Sequence, residues 1–458
     1  MIMVQDQSFY KRLLLLAAPL ALQNVVSYSV SLADNIMVGQ LGELALSGAY
    51  VANQMQNILH MLVTGLSAAL LVLGSQYWGK HETEKVRSVV AIALFFAFGA
   101  GLLLTILTLA RPIAILSLFT DDDDVMMESM QYFTVIRLTY IFFCVTQVLV
   151  AAMRCVETVR IGLYLSILTF VTNVFLNWVL IFGHLGAPAL GLRGAAIATL
   201  AARVIEATIM MIYVFFLDQK LVMRPKDFRH IEKELLTRFF RYGLPIILGD
   251  IFWGINLAVQ GAIMGRLGQV ALASVSIANV IFSILSVAVY GTAGATAIII
   301  GQEVGSGDYS RLRLYTRTFQ ILFVIIGLIS GLAVYCSRYL VPFIYDLEPE
   351  TMQMVKAFLS VLSVMVVGTA YQMSCLTGIV RAGGSTHFVL MNDLIHIWGF
   401  VIPAAFLAAF VFHASPVVVF ALLKSDQLLK CIVAFITVNR YHWVKNLTVE
   451  QPELAAKV

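Results

Sequence analysis

The sequence has 458 residues, of which 60% are hydrophobic and only 12% are charged, and its mean hydropathy is +0.89. Soluble domains carry about 25% charged residues, so this chain has too little charge to cover itself with a wetted surface. The same apolar content excludes a disordered protein. The small net charge of +4, spread over the loops, argues against a nucleic-acid partner. We therefore expect an integral membrane protein.

Twelve apolar segments follow one another along the chain, each long enough to cross about 30 Å of hydrocarbon. They are residues 12–38, 46–77, 88–110, 128–153, 159–183, 190–217, 241–265, 271–301, 316–337, 352–380, 386–412 and 415–439. The longest polar connection, residues 218–238, is too short to fold as a separate soluble domain. The sequence thus predicts an all-α membrane protein with twelve transmembrane helices.

The basic residues predict the orientation of these helices. Of the 30 Lys and Arg residues, 21 lie in the termini and the even-numbered loops, five lie in or beside the odd-numbered loops, and four lie within spans. Loops rich in Lys and Arg stay on the cytoplasmic side. We therefore expect a multi-pass protein of the plasma membrane with both termini in the cytoplasm.

The second half of the chain repeats the first when the two are aligned at Pro19 and Pro245. At this same offset Gly39 falls on Gly265, and further matches follow in order. Six spans lie in each half, so the halves have the same orientation and form parallel repeats, as in transporters built around a central cavity. The expected division is an N-lobe at 1–217, a cytoplasmic linker at 218–240, a C-lobe at 241–440 and a cytoplasmic tail at 441–458.

Several short motifs occur in a fixed order along nearly the whole chain. They are residues 17–20 and 34–39 in the first span, Asn53, Gly79, Arg154, residues 194–199 in the sixth span, and residues 440–443 in the tail. This ordered set resembles the multidrug and toxic compound extrusion (MATE) family. The resemblance implies two six-helix bundles in a monomer surrounded by lipid. It also implies export of small amphiphilic, often cationic organic compounds against an inward flow of Na⁺ or H⁺, with no other cofactor.

Asp34 is the leading ionisable residue inside a span. It lies deep in the first span, and no basic residue lies within one helical turn of it. A helix cap is the structural alternative, because Gly39 and Gly42 end the helix nearby. Near a helix C-terminus, however, the helix dipole disfavours a negative charge. Since a charge inside a membrane is costly to keep, we expect Asp34 to bind a cation or a proton.

Asn173 and Asn177 lie four residues apart and therefore share one face of the fifth span. Their carboxamides could supply oxygen atoms to Na⁺ or could hydrogen-bond a neighbouring helix, and the spacing leaves both roles open. The resemblance implies a cation site formed by Asp34, Asn173, Asn177 and Thr199, with the carbonyl group of Ala195 as a further ligand. Many MATE proteins carry Asp at the position of Asn177. The site therefore has one negative charge rather than two, which leaves both Na⁺ and H⁺ as coupling ions.

The second half departs further from the resemblance. One branch of the family uses a Glu in the seventh span and an Asp in the tenth, and neither acid occurs here. Asp250, Asp393 and His396 are candidates for a substitute proton or substrate site, with a structural hydrogen-bonded pair as the alternative. Arg137, in the fourth span, has no acid nearby in sequence and is a candidate for the substrate cavity.

Two other functions are compatible with a twelve-span protein. A lipid-linked oligosaccharide flippase of the same superfamily shares the repeat, but its cavity needs several basic residues to hold pyrophosphate. The spans here offer chiefly Arg137, Arg203 and two lysines, which favours the exporter. An enzyme is not expected, because neither an H-E-x-x-H nor a G-x-S-x-G motif occurs in the sequence.

The parallel repeat predicts that the loops near Lys80 and Ser306 lie on the same, cytoplasmic side. The test uses His81→Cys and Ser306→Cys, each in a variant whose five native cysteines are replaced by Ala. A membrane-impermeant maleimide should label neither variant in intact cells and both after permeabilisation. Labelling of only one of them in intact cells would contradict the parallel arrangement.

Overall fold

The computed structural model of the protein describes residues 3–228, 232–344 and 347–449. The helices of the first half are α1 (Gln7–Gly39), α2 (Glu43–Gly79), α3 (Thr83–Ala110), α4 (Pro112–Leu116), α5 (Asp123–Ile136), α6 (Thr139–Cys155), α7 (Arg160–Phe182) and α8 (Gly191–Ile212). Those of the second half are α9 (Lys233–Gly265), α10 (Gln269–Leu285), α11 (Val287–Ser306), α12 (Tyr309–Ser337), α13 (Val341–Ile344), α14 (Pro349–Met373), α15 (Thr386–Asp393), α16 (Ile402–Phe410), α17 (Pro416–Leu423) and α18 (Asp426–Arg440). The described part of the chain contains no β-strand.

The prediction of a twelve-helix membrane protein is confirmed. In the part of the chain that the structure describes, ten helices are long and apolar enough to cross a membrane, and the bent pair α5–α6 makes an eleventh span. The pair α17–α18 corresponds to the twelfth apolar segment of the sequence, and it is less apolar because it carries Lys424, Asp426 and Lys430.

The fourth span is broken where the sequence predicted a continuous helix. Helices α5 and α6 meet at an angle of 52°, and Arg137 stands at the break. The Arg137 guanidinium donates to the carbonyl oxygen of Thr108 at 3.0 Å, and the Thr105 hydroxyl donates to the carbonyl oxygen of Arg137 at 3.3 Å. The bond from Thr105 satisfies a backbone carbonyl group at the break, and the bond from Arg137 satisfies one near the end of α3, where the hydrocarbon core offers no water. Arg137 thereby ties the break to α3.

The turn after the first helix of each half shows the repeat in the backbone. Gly42 follows α1 with φ +107°, and Gly268 follows α9 with φ +117°. The offset that aligns Pro19 with Pro245 in the sequence also aligns these two glycines. No other atom lies within 4 Å of a Cβ built on either glycine, so the backbone angle, and not crowding, requires glycine here.

The chain divides into two compact units. Unit 1 comprises Met1–Leu22, Ser75–His81 and Leu244–Val458, and unit 2 comprises Gln23–Gly74 and Glu82–Gly243. In unit 2, α3 packs along α6 and α7 packs along α8. In unit 1, α12 packs along α14, and the rings of Phe358 and Phe420 lie 4.4 Å apart in its apolar core. The lobe boundaries expected from the sequence stay a prediction.

Inside unit 1, the ends of α2 and α11 cross in a pseudo-symmetric contact. A Cβ atom on Gly79 would collide with the backbone of Gln302, and one on Gly305 would collide with the backbone of Gln76. The repeat aligns Gly79 with Gly305 and Gln76 with Gln302, so the two contacts are equivalent. Small residues let membrane helices approach this closely, and both repeats have a glycine at this position.

We predict that Gly79→Val and Gly305→Val each lower the melting temperature of the purified protein. A side chain at either position would force the two backbones apart, and overpacking of this kind costs about 1–3 kcal/mol. Gly99→Val is the control, because a Cβ on Gly99 in α3 meets no atom within 4 Å. If Gly99→Val lowers the melting temperature as much as the other two, the close crossing is not the cause.

Candidate functional site

The four residues implied as a cation site come together in unit 2. The Asn177 amide group donates to Asp34 Oδ1 at 2.6 Å and to Asn173 Oδ1 at 3.2 Å. The Asn173 amide group donates in turn to the Thr199 hydroxyl at 3.3 Å. The side chains thus form one hydrogen-bonded network that joins α1, α7 and α8.

Helical spacing explains how α7 contributes two members of this network. Asn173 and Asn177 are one turn apart on the face that packs along α8, and their exposed fractions are 2% and 0%. Asp34 is half-buried and lies near the C-terminal end of α1. Carboxamides that are buried in a membrane need partners, and the network supplies most of them.

One buried oxygen atom of the network has no donor. Among the described residues, no group donates a hydrogen bond to Asn177 Oδ1, although this atom is fully buried. An unsatisfied buried acceptor costs about 1–3 kcal/mol. The cluster around Asp34 therefore has an unmet capacity for a positively charged or hydrogen-donating group.

Tyr132 and Arg203 lie beside the network, and the sequence analysis did not identify Tyr132. The buried Tyr132 hydroxyl faces Asn53 and Thr199. The Arg203 guanidinium donates to Glu206, three residues further along α8, at 2.8 Å. The carboxylate of the network is therefore Asp34, and the neighbouring arginine is already paired.

Two further residues expected at the site take no part in its side-chain hydrogen bonds. Ala195 is buried one turn before Thr199 in α8, and no side-chain hydrogen bond among the described residues reaches its carbonyl group. Arg137, expected as a cavity residue, stands at the α5–α6 break and bonds the α3 backbone at Thr108. Neither of them is part of the hydrogen-bonded network.

In the second half, Asp250 is paired with an arginine that the repeat explains. Arg381 Nη1 lies 3.3 Å from Asp250 Oδ1. In the first half, the equivalent Arg154 donates to Gln23 at 2.9 Å. Both arginines follow the fourth span of their repeat and bind the first span. Asp250 thus takes the role that Gln23 has in the first half and serves as the partner of Arg381.

Asp393 lies in a different charged group of unit 1. Lys430 Nζ lies 2.7 Å from Asp393 Oδ1 and 3.3 Å from Asp426 Oδ2. His396 Nδ1 lies 2.8 Å from the carbonyl oxygen of Asn392, and no bond between His396 and Asp393 occurs among the described residues. The π-helical turn Leu394–Val401 begins directly after Asp393 and contains His396, so the spacing of a regular α-helix does not hold between the two residues.

The chemistry available at the first-half site is that of one carboxylate with neutral oxygen atoms. Among the described residues, no group of three or more His, Cys, Asp or Glu side chains could hold a metal ion. Oxygen ligands suit hard cations, and a single carboxylate also suits a proton. The arrangement around Asp34 therefore offers one negative charge and several neutral oxygen atoms.

Comparison with known proteins gives two matches to one family. The MatE family model matches residues 19–179 and 245–407, which together cover more than half of the chain. The two matches begin at Pro19 and Pro245, the same two residues at which the halves of the sequence align. The family model thus recovers the same repeat that the sequence and the turn glycines show.

Relatives and a solved structure agree with this match over most of the chain. A probable multidrug resistance protein NorM of Thermotoga maritima is 24% identical over 400 residues, covering 86% of this chain and 85% of the relative. A probable multidrug resistance protein YoeA of Bacillus subtilis is 24% identical over 408 residues, covering 87% of each. The crystal structure of the eukaryotic MATE transporter AtDTX14 has the same fold, with a TM-score of 0.83 at 22% identity, covering 96% of this chain and 97% of that one.

The charged group of unit 1 leads to a stability prediction. Lys430→Met should lower the melting temperature strongly, because it leaves Asp426 buried without its ion-pair partner, and breaking a buried ion pair costs about 3–5 kcal/mol. The double variant Lys430→Met with Asp426→Asn should recover part of the loss, since the orphaned charge is removed. Thermal unfolding in detergent measures both variants. Equal melting temperatures of the single and double variants would contradict the pairing.

Proposed function

Since this chain belongs to the MATE family of membrane transporters, we propose that it is an antiporter that exports amphiphilic, often cationic organic compounds in exchange for Na⁺. The proposed cycle is alternating access, with both termini in the cytoplasm. H⁺ is the second candidate for the coupling ion. The relatives named as probable multidrug resistance proteins support the class of substrate.

The observation that carries the proposal is the network of Asp34, Asn173, Asn177 and Thr199. A site that couples transport to a cation needs a charge that the cation can neutralise, and Asp34 supplies it inside a span. A Na⁺ ion needs several oxygen atoms at once, and all four side chains carry oxygen. The unsatisfied Asn177 Oδ1 is a further oxygen atom available to a cation, and the number of oxygen atoms is why Na⁺ is proposed before H⁺.

A rotation of one amide explains how the same residues hold both states of the site. In the structure, the Asn177 amide group points its N–H bonds at Asp34 and Asn173. A half-turn about the last side-chain bond exchanges the amide nitrogen for the oxygen. That half-turn presents Asn177 Oδ1 to a cation bound at Asp34, so the side chain stabilises the bare carboxylate in one state and the cation in the other.

Neutralising Asp34 is proposed to couple this site to substrate release. A negative charge inside the membrane attracts a cationic substrate when the coupling ion is absent. When Na⁺ occupies the site, the attraction is lost, and the substrate dissociates on the side from which Na⁺ entered. Only an interaction that differs between the two states can shift the equilibrium between them, and the charge of Asp34 provides that difference.

We predict that Asp34→Asn abolishes coupled export while the protein still folds and reaches the membrane. The carboxamide keeps the volume and the hydrogen bonding but removes the charge. Proteoliposome uptake with Na⁺ and H⁺ gradients imposed separately measures the coupling. Asp124→Asn, an exposed acid at the start of α5, is the control and should behave as wild type. Normal export by Asp34→Asn would contradict the assignment of Asp34 as the coupling residue.

Asn177→Asp separates the two coupling ions. If Na⁺ is the coupling ion, the added carboxylate should lower the Na⁺ concentration that gives half-maximal export, because it adds charge to a set of oxygen ligands. If H⁺ is the coupling ion, the pH at which export falls off should rise, since two adjacent carboxylates keep a shared proton to higher pH. A variant unchanged in both respects would place coupling elsewhere, with Asp250 or Asp393 as the next candidates.

A further inference from the structure

The residue of the second half that corresponds to Asp34 is Gln260, at the offset that aligns Pro19 with Pro245. Helix α9 carries Asn256 and Gln260 one turn apart, and both are buried, with exposed fractions of 1% and 9%. Lys424, at the break between α17 and α18, points its ammonium group at Gln260. A cationic side chain thus stands beside the position whose first-half counterpart is an acid.

The lysine determines which way both amide groups face. Lys424 Nζ donates to Gln260 Oε1 at 2.9 Å, and an ammonium group can only donate. The Gln260 nitrogen must therefore face away from it, and it donates to Asn256 Oδ1 at 3.1 Å. The Asn256 nitrogen is then the free end of the chain of hydrogen bonds. It is buried and has no acceptor among the described residues.

Lys424 also retains hydrogen-bonding capacity. Its ammonium group has three N–H bonds, of which the bond to Gln260 uses one, and it lies 5.7 Å from the centre of the Phe420 ring. The nearest acid in sequence, Asp426, is bonded to Lys430 at 3.3 Å and to Gln427 at 2.9 Å. No ion pair with Lys424 within 4 Å occurs in the described ranges of the chain.

The two equivalent positions therefore have opposite polarity. In the first half, an acid and amide groups leave an unsatisfied acceptor, Asn177 Oδ1. In the second half, a lysine and amide groups leave an unsatisfied donor, the Asn256 nitrogen. A group that fits the second position must accept hydrogen bonds, and a cation does not. The second half is therefore not a duplicate of the cation site.

We propose that Lys424, Gln260 and Asn256 form a binding site for the carboxylate group of a zwitterionic amphiphilic substrate. The inference rests on the proposed export function and names a substrate class for it. A carboxylate has two oxygen atoms that accept from an ammonium group and an amide, and charge-assisted bonds of this kind are about twice as strong as neutral ones. The carboxylate also satisfies the buried Asn256 nitrogen, which otherwise stays unpaired at a cost.

The test compares rhodamine B, which carries a carboxylate, with its ethyl ester, which has the same ring system. Lys424→Met keeps the length of the side chain and removes the ammonium group. It should weaken the binding of rhodamine B to the purified protein about tenfold, corresponding to the loss of one charge-assisted bond. Binding of the ester should stay within about twofold of the wild-type value. Fluorescence polarisation gives both dissociation constants.

Three variants separate recognition from folding. Lys424→Arg keeps the charge and should retain the discrimination between the two dyes. Asn256→Asp replaces the free donor with an acceptor of the same shape and should weaken rhodamine B more than the ester. Lys356→Met, on α14 and outside this group of residues, is the control for loss of a lysine and should bind both dyes as wild type does.

Binding to the purified protein is independent of export, so the two proposals fail separately. A loss of export in Asp34→Asn with normal dye discrimination leaves the carboxylate site intact. If Lys424→Met weakens the binding of both dyes equally, or of neither, the proposed carboxylate site is wrong. The export proposal is not affected by that result. Retained discrimination in Asn256→Asp also overturns the carboxylate site.

Discussion

A polar group that lies inside a membrane has to find its partner within the protein, because the hydrocarbon core offers no water. This constraint accounts for most of the intramembrane contacts of the chain. Arg203 is paired with Glu206, Arg381 with Asp250, and Lys430 with two acids. Asn177 Oδ1 and Asn256 Nδ2 are among the buried atoms that have no partner in the described residues, and each lies in a hydrogen-bonded group that contains a charged side chain.

The internal repeat shows how one scaffold carries two different sites. The elements that shape the backbone are the same in both halves, down to the turn glycines Gly42 and Gly268 and the reciprocal helix crossing at Gly79 and Gly305. The side chains that face the interior have diverged. Asp34 in the first half has the neutral Gln260 as its counterpart, and Lys424 binds Gln260, so the backbone geometry is preserved while a negative local charge is replaced by a positive one.

Long-range pairings mark the limit of what the sequence predicts. Asp34, Asn173, Asn177 and Thr199 were found from one motif, one helical spacing and the family resemblance, and the structure joins them. Lys430 was not foreseen as the partner of Asp393, because 37 residues separate the two and no local pattern connects them. Tyr132 was not predicted as a neighbour of the site either, because a tyrosine in an apolar span is not distinguished by any local sequence pattern.

Composition, hydrophobic length and the constant offset between the two halves determined the membrane class, the twelve spans and the parallel repeat, because each depends on regularities along the chain. The tertiary structure decided which buried charges neutralise one another and which polar atoms are left unpaired. The break at Arg137 and the π-helical turn after Asp393 show why, since both change the direction of side chains without a local sequence signal. Pairing inside the membrane depends on distances between helices, and these distances arise only when the helices pack.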